Sequence, residues 1–150
     1  MSNWRGGSIK RDKYDTLFSF LVRERTDWRC EYCGRGFRHD IGALHCSHLF
    51  GRAKQSVRVH PWNAFAHCAG CHERLSQHPV EFAEWARNKL GQQRYDALRV
   101  MANRPTKFTK EDKERIHSHY LAEKRRLLAA RANGQVGRLE FSAQPSAMAA

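Results

Sequence analysis

The stretch ALHCSHLFGRAKQSVRVHPWNAFAHCAGCH, residues 43–72, decides the fold. Ala43 to Phe50 and Ala64 to His67 are short apolar runs that read as strands. Between them lie a basic loop, Gly51 to Arg58, and the turn His60-Pro61-Trp62-Asn63. Proline fixes φ there, and asparagine bonds its local backbone. Cys68-Ala69-Gly70-Cys71 follows as a knuckle, and His72 to Gln77 reads as the first turns of a helix. Strand, loop, strand and helix in one short segment predict an α+β chain.

The second knuckle has a partner upstream, Cys30-Glu31-Tyr32-Cys33. Two residues between cysteines let both sulfurs of a knuckle reach one ion, and two knuckles complete a closed tetrahedral set suited to Zn²⁺. Cys30, Cys33, Cys68 and Cys71 are therefore the expected ligands of a structural zinc, which supplies folding energy that a small core lacks. Cys46 stands outside both pairs and reads as a small packed side chain.

Outward from this centre the periodicity is helical. Tyr14, Leu17, Phe18, Leu21 and Val22 mark one apolar face over Tyr14 to Arg25. Pro79 fits the first turn of a helix running through Phe82 and Trp85 to Leu90, with Gly91 as its cap. Tyr95, Leu98 and Met101 mark a shorter helix that stops before Pro105. Thr109 to Asp112 reads as a capping box opening a long charged helix to Ala132. Its Ile116, Tyr120, Leu121, Leu127 and Leu128 can dock on the domain or on a second copy, which makes a homodimer one expectation. The predicted organisation is a flexible basic arm (1–12), a zinc-stapled domain (13–108), a basic helix (109–134) and a disordered tail (135–150), since the tail has little to bury.

Lys and Arg number 27 against 15 Asp and Glu, a formal charge of +12. Such a surplus on 150 residues points to a polyanionic partner, with nucleic acid foremost. No run of apolar residues is long enough to span a membrane. Met1 to Asp15 has no apolar leader segment, so a cytoplasmic, reducing location is expected, in which cysteines serve as ligands rather than disulfides.

Between and beside the knuckles stand His45-Cys46-Ser47-His48, Asn63 and His72. This His, Asn, His order framed by two cysteine pairs resembles the HNH (ββα-metal) nucleases. Cys46 to Arg52, Arg58-Val59-His60-Pro61-Trp62-Asn63 and Cys68 to His72 are similar to the NinG recombination proteins of lambda-type phages, as are Pro79-Val80-Glu81-Phe82, Trp85 and Leu90-Gly91. The likeness runs from about Cys30 to Gly91. It implies a phage recombination endonuclease, at work in the bacterial host cell, acting on branched or single-strand-containing DNA and leaving a 5′-phosphate and a 3′-hydroxyl.

The chemistry can be argued from the residues themselves. A phosphodiester repels nucleophiles and has a poor leaving group, so a site must supply a base, a cation and a held geometry. His48 can take a proton from water. His72 can bind a catalytic Mg²⁺ or Mn²⁺. Asn63 would hold the loop by hydrogen bonds. Many HNH enzymes have Asp where this chain has Ser47. Alternate residues of a strand share a face, so His45 can reach the metal in its place, and a half-exposed strand histidine is the other reading. Arg52 and Lys54 are expected to bind phosphate, and Arg58 to contact DNA. Trp62 either stacks on unpaired bases or joins the core. His60 and His67 read as a turn and a strand residue, and His39, His78, His117 and His119 as surface residues. The basic run Lys124-Arg125-Arg126 reads equally as a DNA contact and as a solvated face. The rival to the nuclease is a catalytically silent zinc-ribbon module that binds nucleic acid and recruits other proteins.

Overall fold

The first helix is started by acid at its N-terminus: the Asp12 N–H donates to Asp15 Oδ2 at 2.7 Å. In the computed structural model, which describes residues 9–145, this helix is α1, Lys13–Arg25. Its expected apolar face is buried, with Tyr14, Phe18, Leu21 and Val22 at 2 % exposure or less. Its last turn is buried as well, although it is charged. Arg23 Nε donates to Leu44 O at 2.6 Å, and Arg25 donates to Pro61 O and Ala64 O. Glu24 accepts from the Trp28 indole. These bonds seat α1 on the strands, and each buried charge keeps a partner, as burial demands.

Strands β1 (Leu44–His48) and β2 (Ala64–Cys68) pair antiparallel, with Leu44 opposite Cys68, His45 opposite His67 and His48 opposite Ala64. Alternation sorts the side chains. Leu44, Ala64, Ala66 and Cys68 join the α1 core, whereas Phe65 packs in a second cluster with Leu75, Phe82 and Ala86. That second cluster belongs to α2 (Ala69–Gln77) and α3 (Pro79–Leu90). Gly91, at φ +87°, turns the chain into α4 (Gln92–Ala102). Leu98 and Ala102 of α4 pack on Val57 of the loop between the strands.

Thr109 caps α5 (Lys110–Ala132) through Asp112, as expected. This helix docks on α1, burying Ile116, Tyr120 and Leu127. The Tyr120 hydroxyl donates to Val59 O. Leu128 is 42 % exposed. The architecture is thus α+β, with five helices and one two-stranded antiparallel sheet among the described residues. No helix of these is long and apolar enough to cross a membrane.

Two boundaries need correction. The expected disordered tail does not begin at 135. Leu139 N–H donates to Arg25 O at 2.9 Å, and Phe141, 5 % exposed, packs edge-on against Phe18 and Tyr120. One aromatic ring suffices to anchor a polar segment when the groove between two helices fits it. The expected arm is likewise tied at its end, where Lys10 O accepts from Arg58 and Arg11 donates to Ser19 Oγ. Residues 1–8 and 146–150, the rest of the arm and tail, lie outside the described residues.

Candidate metal centre and active-site cleft

The two knuckles meet. Cys30, Cys33, Cys68 and Cys71 bring their sulfurs within 4.8 Å of one another, and Cys33 Sγ lies 3.9 Å from Cys68 Sγ. Sulfurs at the corners of a zinc tetrahedron with bonds of about 2.3 Å sit about 3.8 Å apart. The cluster therefore fits a structural zinc site. Local turns build it: Gly34, at φ +79°, lets its N–H reach Cys30 O, and Cys33 N–H points at Cys30 Sγ. The site joins the loop after α1 to the start of α2. Cys46 is not part of it and faces Arg23 and Ser19.

A cleft of about 540 Å³ opens along the free edge of β1. His45, His48, Arg52 and His72 all line it, together with Arg11 and Arg23. His48 is held by one strong contact: its Nε2 lies 2.9 Å from Arg58 O. A carbonyl only accepts, so Nε2 carries the hydrogen and Nδ1 keeps its lone pair. Burial pushes this imidazole down to about 4, against the opposing pull of the Arg58 carbonyl and with the help of the Arg52 charge.

His45 and His72 face one another across the cleft, Nδ1 to Nδ1 at 3.0 Å. His45 Nε2 lies 3.0 Å from Gly42 O, so its hydrogen goes there and its Nδ1 is a lone pair aimed at His72. Burial, with the neighbouring His45 adding to it, lowers the affinity of His72 for a proton. Two nitrogens 3.0 Å apart subtend roughly 90° at an ion with bonds of about 2.1 Å, so the pair fits a shared divalent cation. His45, the less certain ligand in the sequence, is placed beside His72.

The other expected site residues divide. Asn63 is fully buried; it accepts from Phe50 N and donates to Phe50 O and Val57 O, tying both ends of the loop 50–57. Arg52 reaches the cleft with a buried Nη1 that has no protein partner. Lys54 is exposed on the same loop. Arg58 is corrected: it is 3 % exposed and its guanidinium grips both oxygens of Asp15 at 3.0 and 2.6 Å. It is therefore unavailable to DNA, and its role is to place the carbonyl that orients His48. Trp62 is half-buried, packed beside Leu98 and under Arg94. His60 caps a short turn by accepting from Trp62 N. In the run 124–126, Lys124 lies over Phe20 and Arg126 is bonded to Glu123.

Arg11 and Arg23 were not legible as cleft residues. Arginines in and before an amphipathic helix carry no signal of direction, and only the docking of α1 against β1 brings them there. The chain matches no protein-family model, no curated protein and no solved structure.

Proposed function

We propose that the protein is a metal-dependent endonuclease of the HNH type that hydrolyses DNA phosphodiesters in the cleft along β1. The observation that carries this reading is the aim of His48: Nε2 is spent on the Arg58 carbonyl, leaving the Nδ1 lone pair in a cleft with facing histidines and arginines. A base, a cation site and phosphate donors are what the reaction needs in one place.

In this reading His48 Nδ1 takes a proton from a water. The water oxygen bonds to phosphorus as the bond from phosphorus to the 3′-oxygen breaks, and the departing 3′-oxygen takes a proton from solvent, giving a 5′-phosphate and a 3′-hydroxyl. His45 and His72 would hold the divalent ion, which would supply positive charge to the leaving oxygen. Arg52, Arg11 and Arg23 line the cleft and give its wall positive charge for a phosphate. Asn63 performs no chemistry; it fixes the loop whose Arg58 carbonyl sets the His48 tautomer. The formal charge of +12 supports an anionic substrate, and affinity for it should fall with salt as released counterions lose their advantage. Branched or single-strand-containing DNA is the substrate class that the NinG resemblance suggests.

Plasmid nicking by the zinc-loaded protein with added Mg²⁺, Mn²⁺ or Co²⁺ tests the proposal. The wild type should cut, and His48→Ala should cut about a hundred- to ten-thousandfold more slowly with zinc content and DNA affinity kept. Wild-type rates from His48→Ala would remove the base assignment. Salt-sensitive DNA binding without cleavage under any divalent ion would leave the zinc-ribbon adaptor in its place.

A further inference from the structure

A second cavity, of about 360 Å³, shares no lining residue with the cleft. Its volume is in the range that holds a small organic ligand. Part of the wall is apolar, with Pro61, Trp62 and Leu90, and part is basic, with Arg25, Lys89, Arg94 and Arg138.

The charges here do not balance. Arg25, Lys89 and Arg138 all turn to one carboxylate, Glu31, at 3.7, 4.0 and 2.9 Å. Glu140, the acid in the wall, is held by Arg138. Arg25 is 2 % exposed, and burial works against its charge with Glu31 opposing. Arg94 has no acidic partner among the described residues and lies over the Trp62 ring, 5.6 Å from its centroid. His60 adds a donor. It is 4 % exposed, and its Nδ1 accepts from Trp62 N at 3.1 Å, so the ring hydrogen sits on Nε2. Nothing among the described residues accepts that hydrogen, and the ring lines the cavity beside the half-buried indole. A small inorganic anion would use the cations and leave the indole idle. An apolar ligand would do the reverse. A ligand that is both anionic and aromatic uses the whole set.

We propose that this cavity is a nucleotide subsite separate from the cleft, where the base of one unpaired nucleotide stacks on Trp62, His60 Nε2 donates to it, and Lys89 and Arg94 take its phosphate. Stacking on an aromatic side chain tolerates any base, because every base has a π-face. A base inside a duplex is already stacked and paired, so the site favours unpaired nucleotides. Arg94, with no acid to hold it, is able to move from the indole to the phosphate. The same chemistry belongs to a nucleotide within a single strand and to a free nucleoside monophosphate. Placing a strand there rests on the reading of the protein as DNA-binding; the chemistry of the cavity does not.

The test uses the zinc-loaded full chain without added divalent ion, titrated with a short labelled oligothymidylate, with thymidine 5′-monophosphate and with a duplex. Trp62→Ala should weaken the oligothymidylate at least about fivefold, the lower end for loss of one base stack, and leave the duplex unchanged. Trp62→Phe keeps a ring and should keep most of the affinity. Arg94→Glu, at an exposed position, should weaken the oligothymidylate at least about tenfold, and it decides the matter if Trp62→Ala fails to fold. Trp62-dependent binding of the monophosphate at the oligothymidylate's affinity assigns the site to a free nucleotide, and binding that needs the strand assigns it to DNA. Unchanged affinity for both probes in Trp62→Ala and Arg94→Glu overturns the subsite, and an equal loss of duplex affinity in Trp62→Ala overturns the preference for unpaired nucleotides. Trp62-dependent binding without plasmid nicking keeps this inference and removes the nuclease. Nicking by a protein whose oligothymidylate affinity ignores Trp62 does the reverse.

Discussion

Replacing Asp15 by Asn should unsettle the protein well beyond α1. Asp15 and Arg58 form a two-point ion pair at 3.0 and 2.6 Å, with both side chains 4 % exposed. Removing the negative charge leaves a guanidinium in the interior without its counter-ion. Breaking one side of a buried pair costs about 3–5 kcal/mol. Asn keeps one acceptor oxygen and nearly the same volume, so the lower end applies, about 3 kcal/mol. For a chain of this size that lowers the melting temperature by about 6–12 °C. The same guanidinium anchors Lys10 O, and its backbone carbonyl fixes the His48 tautomer. Asp15→Asn should therefore also slow DNA cleavage, although Asp15 is not placed as a reacting group. Urea unfolding of the zinc-loaded protein measures the first effect and plasmid nicking the second. Asp15→Asn combined with Arg58→Met should recover much of the stability, because an apolar side chain needs no partner there. A loss below about 1 kcal/mol, or a double variant no better than the single one, would refute the claim that this pair holds the loop.

Three further outcomes are expected. Cys68→Ser should lose zinc and unfold the centre of the chain, because the metal bonds supply folding energy; elemental analysis and circular dichroism check it, and a folded, zinc-free protein contradicts it. Cleavage by the wild type should persist to unusually low pH: burial holds His48 near 4, so the base stays neutral above about that value and is lost as the pH falls through it. An acid limb near the free imidazole value of about 6.5 would mean that His48 is hydrated under the conditions of the assay. Phe141→Ala should cost about 3 kcal/mol by emptying the space between Phe18 and Tyr120, read by chemical unfolding; no change would mean that the end of the chain is not docked.

The elements most legible in the sequence were those with strong local signals. The spacing at Tyr14, Leu17, Phe18, Leu21 and Val22, the Thr109 and Asp112 box, and Pro79 with Gly91 each state a helix or its end within a few residues. The paired CxxC knuckles named four side chains that come together. His48 and His72 were marked by their order with Asn63, and His45 by the alternation of a strand; all three line the cleft. Arg58 was misread because an arginine in a basic loop looks exposed until its acid is known. That acid, Asp15, is far away in sequence, inside the first helix, where nothing local pairs it with Arg58.

The sequence by itself determined the local periodicities, the zinc-ligand set and the excess of positive charge, because each depends on residue type and short spacing. Tertiary structure alone decided which charges are spent and which are free. The docking of α1 on the hairpin buries Arg58 against Asp15 and brings Arg11 and Arg23 to the cleft. The pairing register sets His67 opposite His45, and the packing of α3 leaves both its nitrogens without partners. Burial and partnership are properties of contacts between distant segments, and it is these contacts that decide whether a histidine lines the cleft or sits in the core.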